Sequence, residues 1–177
     1  NYGYNSKKII LENINLEVKK GSFIGIKGES GEGKTTLINL IMGLLQPSNG
    51  NILIDNTNIN NNLKGYMNLI GYIPQKIYIL NDTIKNNLVF EDERSDIDEN
   101  SIAKVLDTVR LDNLTKDLPK GLDSTIADTT FKASEGEIQR FGIARALLKQ
   151  KEILILDEIT SSLDEKNEKN IMNIIKS

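Results

Sequence analysis

Short apolar runs bounded by polar or turn-forming residues predict the strands of this chain. Ile14, Leu16 and Val18 alternate strictly with polar residues, as in a half-buried strand. A hairpin turn at 19–21 then leads into a predicted buried strand at 22–26. Further strands are predicted at 51–54, 70–73 and 153–156. The last of these is a continuous Ile-Leu run, which is typical of a parallel strand buried on both faces.

Apolar residues at helical spacing predict the helices. One helix is expected at 35–45, and another carries Ile102, Val105, Leu106 and Val109 on one face. A final helix is expected near the end of the chain, where Glu168, Ile171, Met172 and Ile175 share a face. Helices interleaved with strands indicate an α/β fold with a central sheet, and the segment from about 82 to 145 is predicted to be a mostly helical insertion.

A glycine-rich loop separates the strand predicted at 22–26 from the helix predicted at 35–45. The sequence Gly28-Glu29-Ser30-Gly31-Glu32-Gly33-Lys34-Thr35 fits the phosphate-binding pattern G-x-x-x-x-G-K-[ST]. Its glycines let consecutive N–H groups turn inward, toward phosphate oxygens at a helix N-terminus. Lys34 would reach the β- and γ-phosphates, and Thr35 would offer its hydroxyl to Mg²⁺. The alternative, a ligand-free turn, is disfavoured because the flanking strand and helix are also present.

Two carboxylates directly follow the apolar strand at 153–156. Asp157 is placed to hold Mg²⁺ through water. Glu158 could orient and polarise an attacking water as a general base. The alternative is that both residues simply begin a surface loop, and the phosphate-binding loop upstream favours the catalytic interpretation.

A second helix start is predicted at Ser134. Ser134 and Glu137 have the spacing of a capping box, in which each side chain bonds to the backbone of the other residue. A serine hydroxyl beside glycine and a helix N-terminus also makes an anion site, so a role in phosphate binding is left open.

Composition narrows the class of protein. The chain has 177 residues, of which 38% are hydrophobic and 27% charged, as expected for one soluble globular domain. A net charge of −3 without a Lys/Arg stripe argues against a general nucleic-acid binder. The absence of cysteine excludes disulfides, thiol catalysis and cysteine metal sites. Neither a membrane helix nor a signal peptide is visible, and a chain that starts with Asn1 is expected to be a piece of a longer protein.

The order of these motifs resembles the nucleotide-binding domain of an ABC transporter. The match comprises the loop at 28–36 (Walker A), Gln75 (Q-loop), 133–137 (signature), 153–158 (Walker B) and 161–164 (D-loop). It covers nearly the whole chain and is most similar to bacterial exporters and lipid-linked oligosaccharide flippases. It implies one ATP-binding domain at 1–177, truncated at both ends. The implied P-loop NTPase fold has a RecA-like core at about 1–81 and 146–177 with a mostly parallel sheet, an N-terminal antiparallel portion, and a helical subdomain at about 82–145.

The resemblance also implies roles for single residues. Thr36 would reach the α-phosphate, Tyr4 would stack on adenine with Tyr2 as the alternative, and Gln75 would contact Mg²⁺ or the attacking water and sense a transmembrane partner. The implied nucleotide-binding residues are Tyr4, Gly28, Glu29, Ser30, Gly31, Glu32, Gly33, Lys34, Thr35, Thr36, Ser134, Gly136 and Glu137. The implied catalytic residues are Glu158 and Gln75, and the implied metal ligands are Thr35, Gln75 and Asp157.

In this family, two domains meet head to tail around two MgATP. Ser134 and Gly136 would then grip the γ-phosphate bound to the other subunit, and Asp164 would pack across the dimer. ATP binding would close the dimer and hydrolysis would release it, which would drive export through a transmembrane domain expected in the same polypeptide. The domain would lie at the cytoplasmic face of the cell membrane, with no nucleic-acid partner.

Two departures from the family pattern affect these expectations. Glu135 replaces a glycine near the γ-phosphate, and its charge would cost about 0.5–2 kcal/mol and weaken ATP-driven dimerisation. The family's switch histidine is missing, since the chain contains no histidine. Either the chain ends before that residue or the site is degenerate. In both cases, this fragment is expected to bind nucleotide better than it hydrolyses it.

Other classes of nucleotide-binding protein fit less well. A P-loop GTPase needs Asn-Lys-x-Asp and Asp-x-x-Gly, and neither pattern occurs. A small-molecule kinase leaves the signature and the D-loop unexplained. An ABC ATPase acting on DNA would carry long coiled coils between Gln75 and Ser134, where only a compact subdomain fits. A catalytically weak regulatory ABC domain stays open, since Glu135 and Glu137 favour it and Glu158 does not.

Overall fold

The computed structural model describes residues 1–4, 9–90, 97–113, 118, 120–125, 134–159, 169, 172–173 and 175. The helices are α1 (Lys34–Ile41), α2 (Leu63–Asn68), α3 (Ile84–Val89), α4 (Glu99–Thr108) and α5 (Glu135–Leu148). The strands are β1 (Leu53–Ile54), β2 (Thr57–Asn58), β3 (Ile70–Ile73) and β4 (Ile153–Leu156), with 3₁₀ turns at Ile59–Asn62 and Gly121–Asp123. The chain divides into two compact units, Asn1–Ile70 and Gly71–Ser177.

The first unit is organised around α1. Tyr2, Leu11 and Leu40 form its small buried cluster, and β1 pairs with β2 as an antiparallel hairpin. α1 ends at Ile41, because Gly43 takes a left-handed φ of 76°. The helix predicted at 35–45 was therefore too long at its C-terminal end.

The strand predictions at 14–18 and 22–26 were wrong for the described residues. The turn between them is present, since Ser22 N–H donates to the Lys19 carbonyl at 3.0 Å. However, the described residues 12–33 contain no strand, and Val18 and Phe23 are 61% and 52% exposed. Alternation selects the face that a strand would bury, but a strand also needs a ladder of backbone hydrogen bonds to a neighbouring strand, and the described residues 12–33 form no such ladder.

The second unit contains the larger core. β3 and β4 are neighbours in one sheet, so the strands predicted at 70–73 and 153–156 are confirmed. The side chains of β4 are half-buried rather than fully buried, because β3 is its one neighbour among the described strands. The buried side chains of this core include Ile73, Ile84, Leu88, Ile102, Leu106, Val109, Phe141 and Ile143.

Helix α5 packs against α3 and α4 in the second unit. Ile102, Leu106 and Val109 are buried, as their helical spacing predicts. A Cβ atom at Gly142 would lie 2.5 Å from Ile77 Cδ1, so glycine lets α5 approach the segment that follows β3. The described part of the segment 84–124 is helical with connecting turns, in agreement with the predicted helical insertion, whose boundaries stay a prediction.

Several sequence predictions fall outside the described residues. These are Ala133 of the signature, the whole D-loop at 161–164 with Asp164, and Glu168 and Ile171 of the final helix. Met172 and Ile175 of that helix are described, and both are helical. Within the described ranges, no helix combines the length and the apolar character needed to cross a membrane.

Candidate nucleotide-binding site

The glycine-rich loop of the first unit depends on left-handed backbone at two glycines. Gly31 and Gly33 have φ of 88° and 91°, and Gly33 directly precedes α1. A Cβ atom at Gly33 would also lie 3.0 Å from Leu11 Cδ2 and 3.1 Å from Ile10 Cγ2. Backbone conformation and side-chain packing therefore both require glycine at position 33. The loop leads directly into the N-terminus of α1, and the N-terminus of a helix attracts anions.

Lys34 folds back across this loop. Its Nζ donates to the carbonyls of Gly28 at 2.8 Å and Glu29 at 2.7 Å. These contacts hold the ammonium group over the loop, which is the position from which a P-loop lysine meets phosphate oxygens. Thr35, the second residue of α1, is exposed.

Glu32 contributes a side-chain contact that sequence reasoning missed. Its Oε2 accepts a hydrogen bond from Glu29 N–H at 2.7 Å, and a Cβ atom at Gly28 would lie 2.5 Å from the same oxygen. One of the loop amides that could bind phosphate is thus engaged by a carboxylate of the loop itself. The sequence did contain a signal for this contact, namely an acidic residue three positions after that amide within a motif that binds anions.

The two tyrosines near the N-terminus, Tyr2 and Tyr4, differ in their exposure to solvent. The Tyr4 hydroxyl lies 3.4 Å from Thr36 Oγ1, and Tyr4 is 62% exposed. Tyr2 is buried with Leu11, and its ring meets that of Tyr4 edge to face at 5.1 Å between centroids. Tyr4 is therefore the accessible ring beside the phosphate loop, while Tyr2 belongs to the core of the first unit.

In the second unit, the two predicted catalytic residues are in direct contact. Gln75 Nε2 donates to Glu158 Oε2 at 3.0 Å. Gln139 Nε2 donates to the Gln75 carbonyl at 3.1 Å and so fixes the backbone of the Q-loop to α5. Glu158 is exposed and has a left-handed φ of 47°, an uncommon conformation for a residue with a side chain. Uncommon backbone of this kind is frequent where a side chain must be aimed at a ligand.

Asp157 is held by two consecutive residues of β3. Its N–H donates to the Ile73 carbonyl at 3.0 Å, and its Oδ2 accepts from the Tyr72 hydroxyl at 2.9 Å. Burial first, and then the hydrogen bond and negative charge of Asp157, raise the pKa of Tyr72 to about 12. The phenol therefore keeps its proton at neutral pH and acts as the donor. Sequence reasoning missed Tyr72, although its position on the strand before Gln75 was a usable signal.

These residues also fit Mg²⁺. Among the described residues, no three Asp, Glu, His or Cys side chains cluster as a metal site, so a cation here would rely on one carboxylate with neutral oxygens. Asp157 supplies the carboxylate, and Gln75 keeps its amide oxygen because Nε2 makes the contact to Glu158. Mg²⁺ is usually held this way, by one or two carboxylates together with phosphate and water.

The signature segment begins α5 with the predicted capping box. Glu137 N–H donates to Ser134 Oγ at 3.3 Å, and Glu137 Oε2 accepts from Ser134 N–H at 2.9 Å. The capping interpretation is confirmed. The Ser134 hydroxyl also donates to Glu137 Oε2 at 2.8 Å, so the same carboxylate engages both donors of the serine. Glu135 is exposed in the first turn of the helix.

The segment after Gln75 is fastened to α5 by a partly buried polar contact. Arg145 donates to the Asn87 carbonyl at 2.7 Å, to its Oδ1 at 3.2 Å, and to the Tyr78 carbonyl at 2.6 Å. Its guanidinium also lies over the rings of Phe90 and Phe141, and burial lowers the pKa of Arg145. Large apolar side chains, among them Tyr78 (66%) and Phe90 (45%), remain exposed on this segment.

Comparison with known protein families decides the class of this site. The family model described as ABC transporter matches residues 11–161, most of the chain. The chain belongs to the ABC transporter family. The resemblance inferred from motif order is therefore confirmed, and the loop at 28–36, Gln75 and the strand leading to Asp157 all fall inside the matched region.

Individual ABC proteins give the same result. The chain is 40% identical, over 94% of its length, to an ATP-dependent lipid A-core flippase of Coxiella burnetii. It is 36% identical, over 99% of its length, to the mitochondrial iron-sulfur clusters transporter ATM1 of Candida albicans. These matches span only 28% and 23% of the two relatives, so the chain corresponds to less than a third of either protein.

A solved structure supports the predicted fold. A bacterial Atm1-family ABC exporter with ATP bound matches 99% of this chain with a TM-score of 0.83 and 32% sequence identity, and the chain spans 31% of that exporter chain. The chain thus has the α/β fold of an ABC exporter nucleotide-binding domain, with antiparallel and parallel strands and helices, as the sequence predicts.

Proposed function

We propose that this chain is the domain of an ABC exporter that binds and hydrolyses ATP. The hydrogen bond between Gln75 and Glu158 supports this most directly, because it joins two residues far apart in sequence that the family pattern assigns to catalysis. A carboxylate held by an amide at the end of a strand is suited to orient and polarise an attacking water. When Mg²⁺ is bound, it would neutralise charge on the phosphates.

The proposed roles follow the two units. In the first unit, Lys34 and the amides of the loop bind the phosphates, Thr36 reaches the α-phosphate, and Tyr4 stacks on adenine. In the second unit, Asp157 and Gln75 hold Mg²⁺, and Glu158 is the general base. The assignment of Thr35 to the same Mg²⁺ comes from the family pattern and is a prediction.

The working form is proposed to be a head-to-tail dimer of such domains around two MgATP. Ser134 caps α5 and Gly136 lies in its first turn, at the helix end that attracts anions, which supports their role at the γ-phosphate of the partner. The role of Glu137 there comes from the family pattern alone. The domain would lie at the cytoplasmic face of the membrane and would drive export through a transmembrane domain. The exposed side chains of Tyr78 and Phe90, close in sequence to Gln75, support contact with such a partner.

A catalytically weak, regulatory ABC domain is the second candidate. One observation favours it: the Glu137 carboxylate engages both the N–H and the hydroxyl of Ser134, the donors that would otherwise meet phosphate. A soluble ABC ATPase that is not coupled to transport is a further alternative, with the same nucleotide chemistry and no membrane partner.

Replacement of Glu158 by Gln tests the hydrolytic function. Since general base catalysis contributes about 10²–10⁴-fold, the variant should lose ATP turnover by at least about 100-fold while still binding MgATP. Glu152→Gln is the matched control, because Glu152 is an exposed carboxylate just before β4. Wild-type turnover in the Glu158 variant would contradict the proposed base, and negligible turnover in the unmodified full-length protein would favour the regulatory candidate.

Dimerisation is tested separately in the Glu158→Gln background. ATP-dependent dimer affinity should rise when Glu135 is also replaced by Gly, because the exposed carboxylate in the first turn of α5 would repel the γ-phosphate of the partner. Sedimentation with and without ATP measures the affinity. Equal affinities for the two proteins would exclude an effect of Glu135 on closure.

A further inference from the structure

The contact between Tyr72 and Asp157 lies outside the roles proposed so far. Tyr72 is on β3, and Asp157 follows the neighbouring strand β4. The hydroxyl of Tyr72 binds Oδ2 of Asp157 at 2.9 Å, and the next residue, Ile73, accepts the Asp157 N–H at 3.0 Å. Adjacent residues of one strand therefore fix both the backbone and the carboxylate of Asp157.

The geometry limits how the carboxylate can turn. With its N–H bound to β3, the remaining freedom of Asp157 is rotation of its side chain, and a hydrogen bond to Oδ2 restricts that rotation. Oδ2 of Asp157 accepts the hydrogen bond from the phenol, which leaves Oδ1 for a cation or for its bound water. A phenol can make this contact without adding charge, whereas a lysine or arginine in its place would compete with the cation for the same carboxylate.

We propose that Tyr72 is a positioning residue, which orients the Asp157 carboxylate toward a divalent cation and thereby sets the affinity for that cation beside bound nucleotide. The inference rests on the proposed function, since it needs Asp157 to hold the cation. It concerns orientation only, since in this role Tyr72 contacts the Asp157 carboxylate rather than the cation. Groups that orient a metal ligand typically change metal affinity by about 10- to 100-fold when they are removed.

Tyr72→Phe is the sharpest variant, because it removes the hydroxyl and keeps the ring. Mn²⁺ binding to the full-length protein is titrated by electron paramagnetic resonance in the presence of saturating ADP, which avoids turnover. We expect the Mn²⁺ affinity to fall about 10-fold. ADP affinity in the presence of EDTA should stay unchanged, since the loop of the first unit supplies it. Tyr78→Phe is the matched control, an exposed tyrosine of the same unit whose backbone carbonyl, not its ring, binds Arg145.

Asp157→Asn distinguishes the role of Tyr72 from the proposed metal site itself. If Asp157→Asn weakens Mn²⁺ binding and Tyr72→Phe does not, the positioning role is overturned and the proposed site stands. If neither variant changes Mn²⁺ affinity, Asp157 does not hold the cation, and the proposed metal site fails together with the inference. If Tyr72→Phe lowers both the Mn²⁺ affinity and the ADP affinity measured in EDTA, Tyr72 has a structural role only. That result would also overturn the proposal.

Discussion

In the first unit, the groups that would meet ATP are mostly backbone groups, whereas in the second unit they are side chains. The loop at 28–36 offers amides, shaped by Gly31 and Gly33, with Lys34 folded onto its carbonyls. The second unit instead places two carboxylates after β4, and each has its own side-chain donor: Tyr72 for Asp157 and Gln75 for Glu158.

This difference matches the chemistry assigned to each unit. Phosphate is bound by many weak donors with a common direction, and a loop that enters a helix supplies them without a distant partner. A general base or a metal ligand must instead have one defined orientation, which requires neighbours from other elements. The second unit accordingly has the larger core, and polar side chains such as Asn87 and Gln139 are buried within it.

The largest effect on stability is expected for Asn87→Ala in the second unit. Asn87 is fully buried, and its amide receives the Leu80 N–H at 2.7 Å and donates to the carbonyls of Leu80 and Thr83. Truncation would leave these backbone groups and part of Arg145 without partners. We expect the free energy of unfolding to fall by about 2–4 kcal/mol, measured by urea denaturation.

Asn86→Ala is the matched control for this prediction. Asn86 is the adjacent asparagine, and it is exposed, with its side chain bound to Asp82. Its replacement should change the free energy of unfolding by no more than about 0.5 kcal/mol. Similar losses in the two variants would show that burial of Asn87 is not what stabilises the second unit.

The first unit is tested through Lys34→Ala. The variant loses the ammonium group that lies over the loop, and a charged hydrogen bond contributes about 1.5–3 kcal/mol. Nucleotide affinity should therefore fall about 10- to 100-fold, measured by fluorescence titration with a labelled ATP analogue. Lys27→Ala removes an exposed lysine just before the loop and should have little effect. A comparable loss in both variants would mean that net charge, rather than the Lys34 contact, determines binding.

More of the first unit's site than of the second unit's could be predicted from the sequence, because the first depends on local structure and the second on long-range contacts. The loop at 28–36 is a local structure, because its glycines and the following helix are encoded within a single stretch. The capping box at Ser134 is equally local and was predicted correctly, whereas phosphate binding by the loop stays a prediction. The partners of Asp157 and Gln75 depend on which strands and helices become neighbours, so Tyr72 and Gln139 were not found.

Burial was the least predictable property. The alternation at Ile14, Leu16 and Val18 indicated a half-buried strand, yet these side chains are 47%, 48% and 61% exposed. The spacing of Ile102 and Leu106 was equally regular, and these residues are buried. A helix satisfies its own backbone before it packs, whereas a strand needs a neighbour at the start. Periodicity alone therefore predicted α4 better than it predicted the strands of the first unit.

The Glu32 carboxylate takes up a backbone N–H of the phosphate-binding loop, and its replacement has the smallest expected effect. Its carboxylate occupies Glu29 N–H and would lie close to the phosphates. Glu32→Ser should release the amide and remove a like charge, whose cost near solvent is about 1 kcal/mol at 4 Å. We expect nucleotide affinity to rise about fivefold, measured by the same titration as for Lys34.

Glu29→Ser is the control that separates the effect of the Glu32 hydrogen bond from the effect of net charge. It removes one negative charge from the same exposed loop but leaves the backbone hydrogen bond from residue 29 to Glu32 in place. If only net charge matters, both variants should bind nucleotide equally well at low salt, and the gain should disappear at high salt. If the occupied amide matters, the gain should be larger for Glu32→Ser and should persist in salt. The second result would mean that nucleotide must displace a carboxylate of the loop to bind, so that even the backbone-built site of this domain is regulated by a side chain.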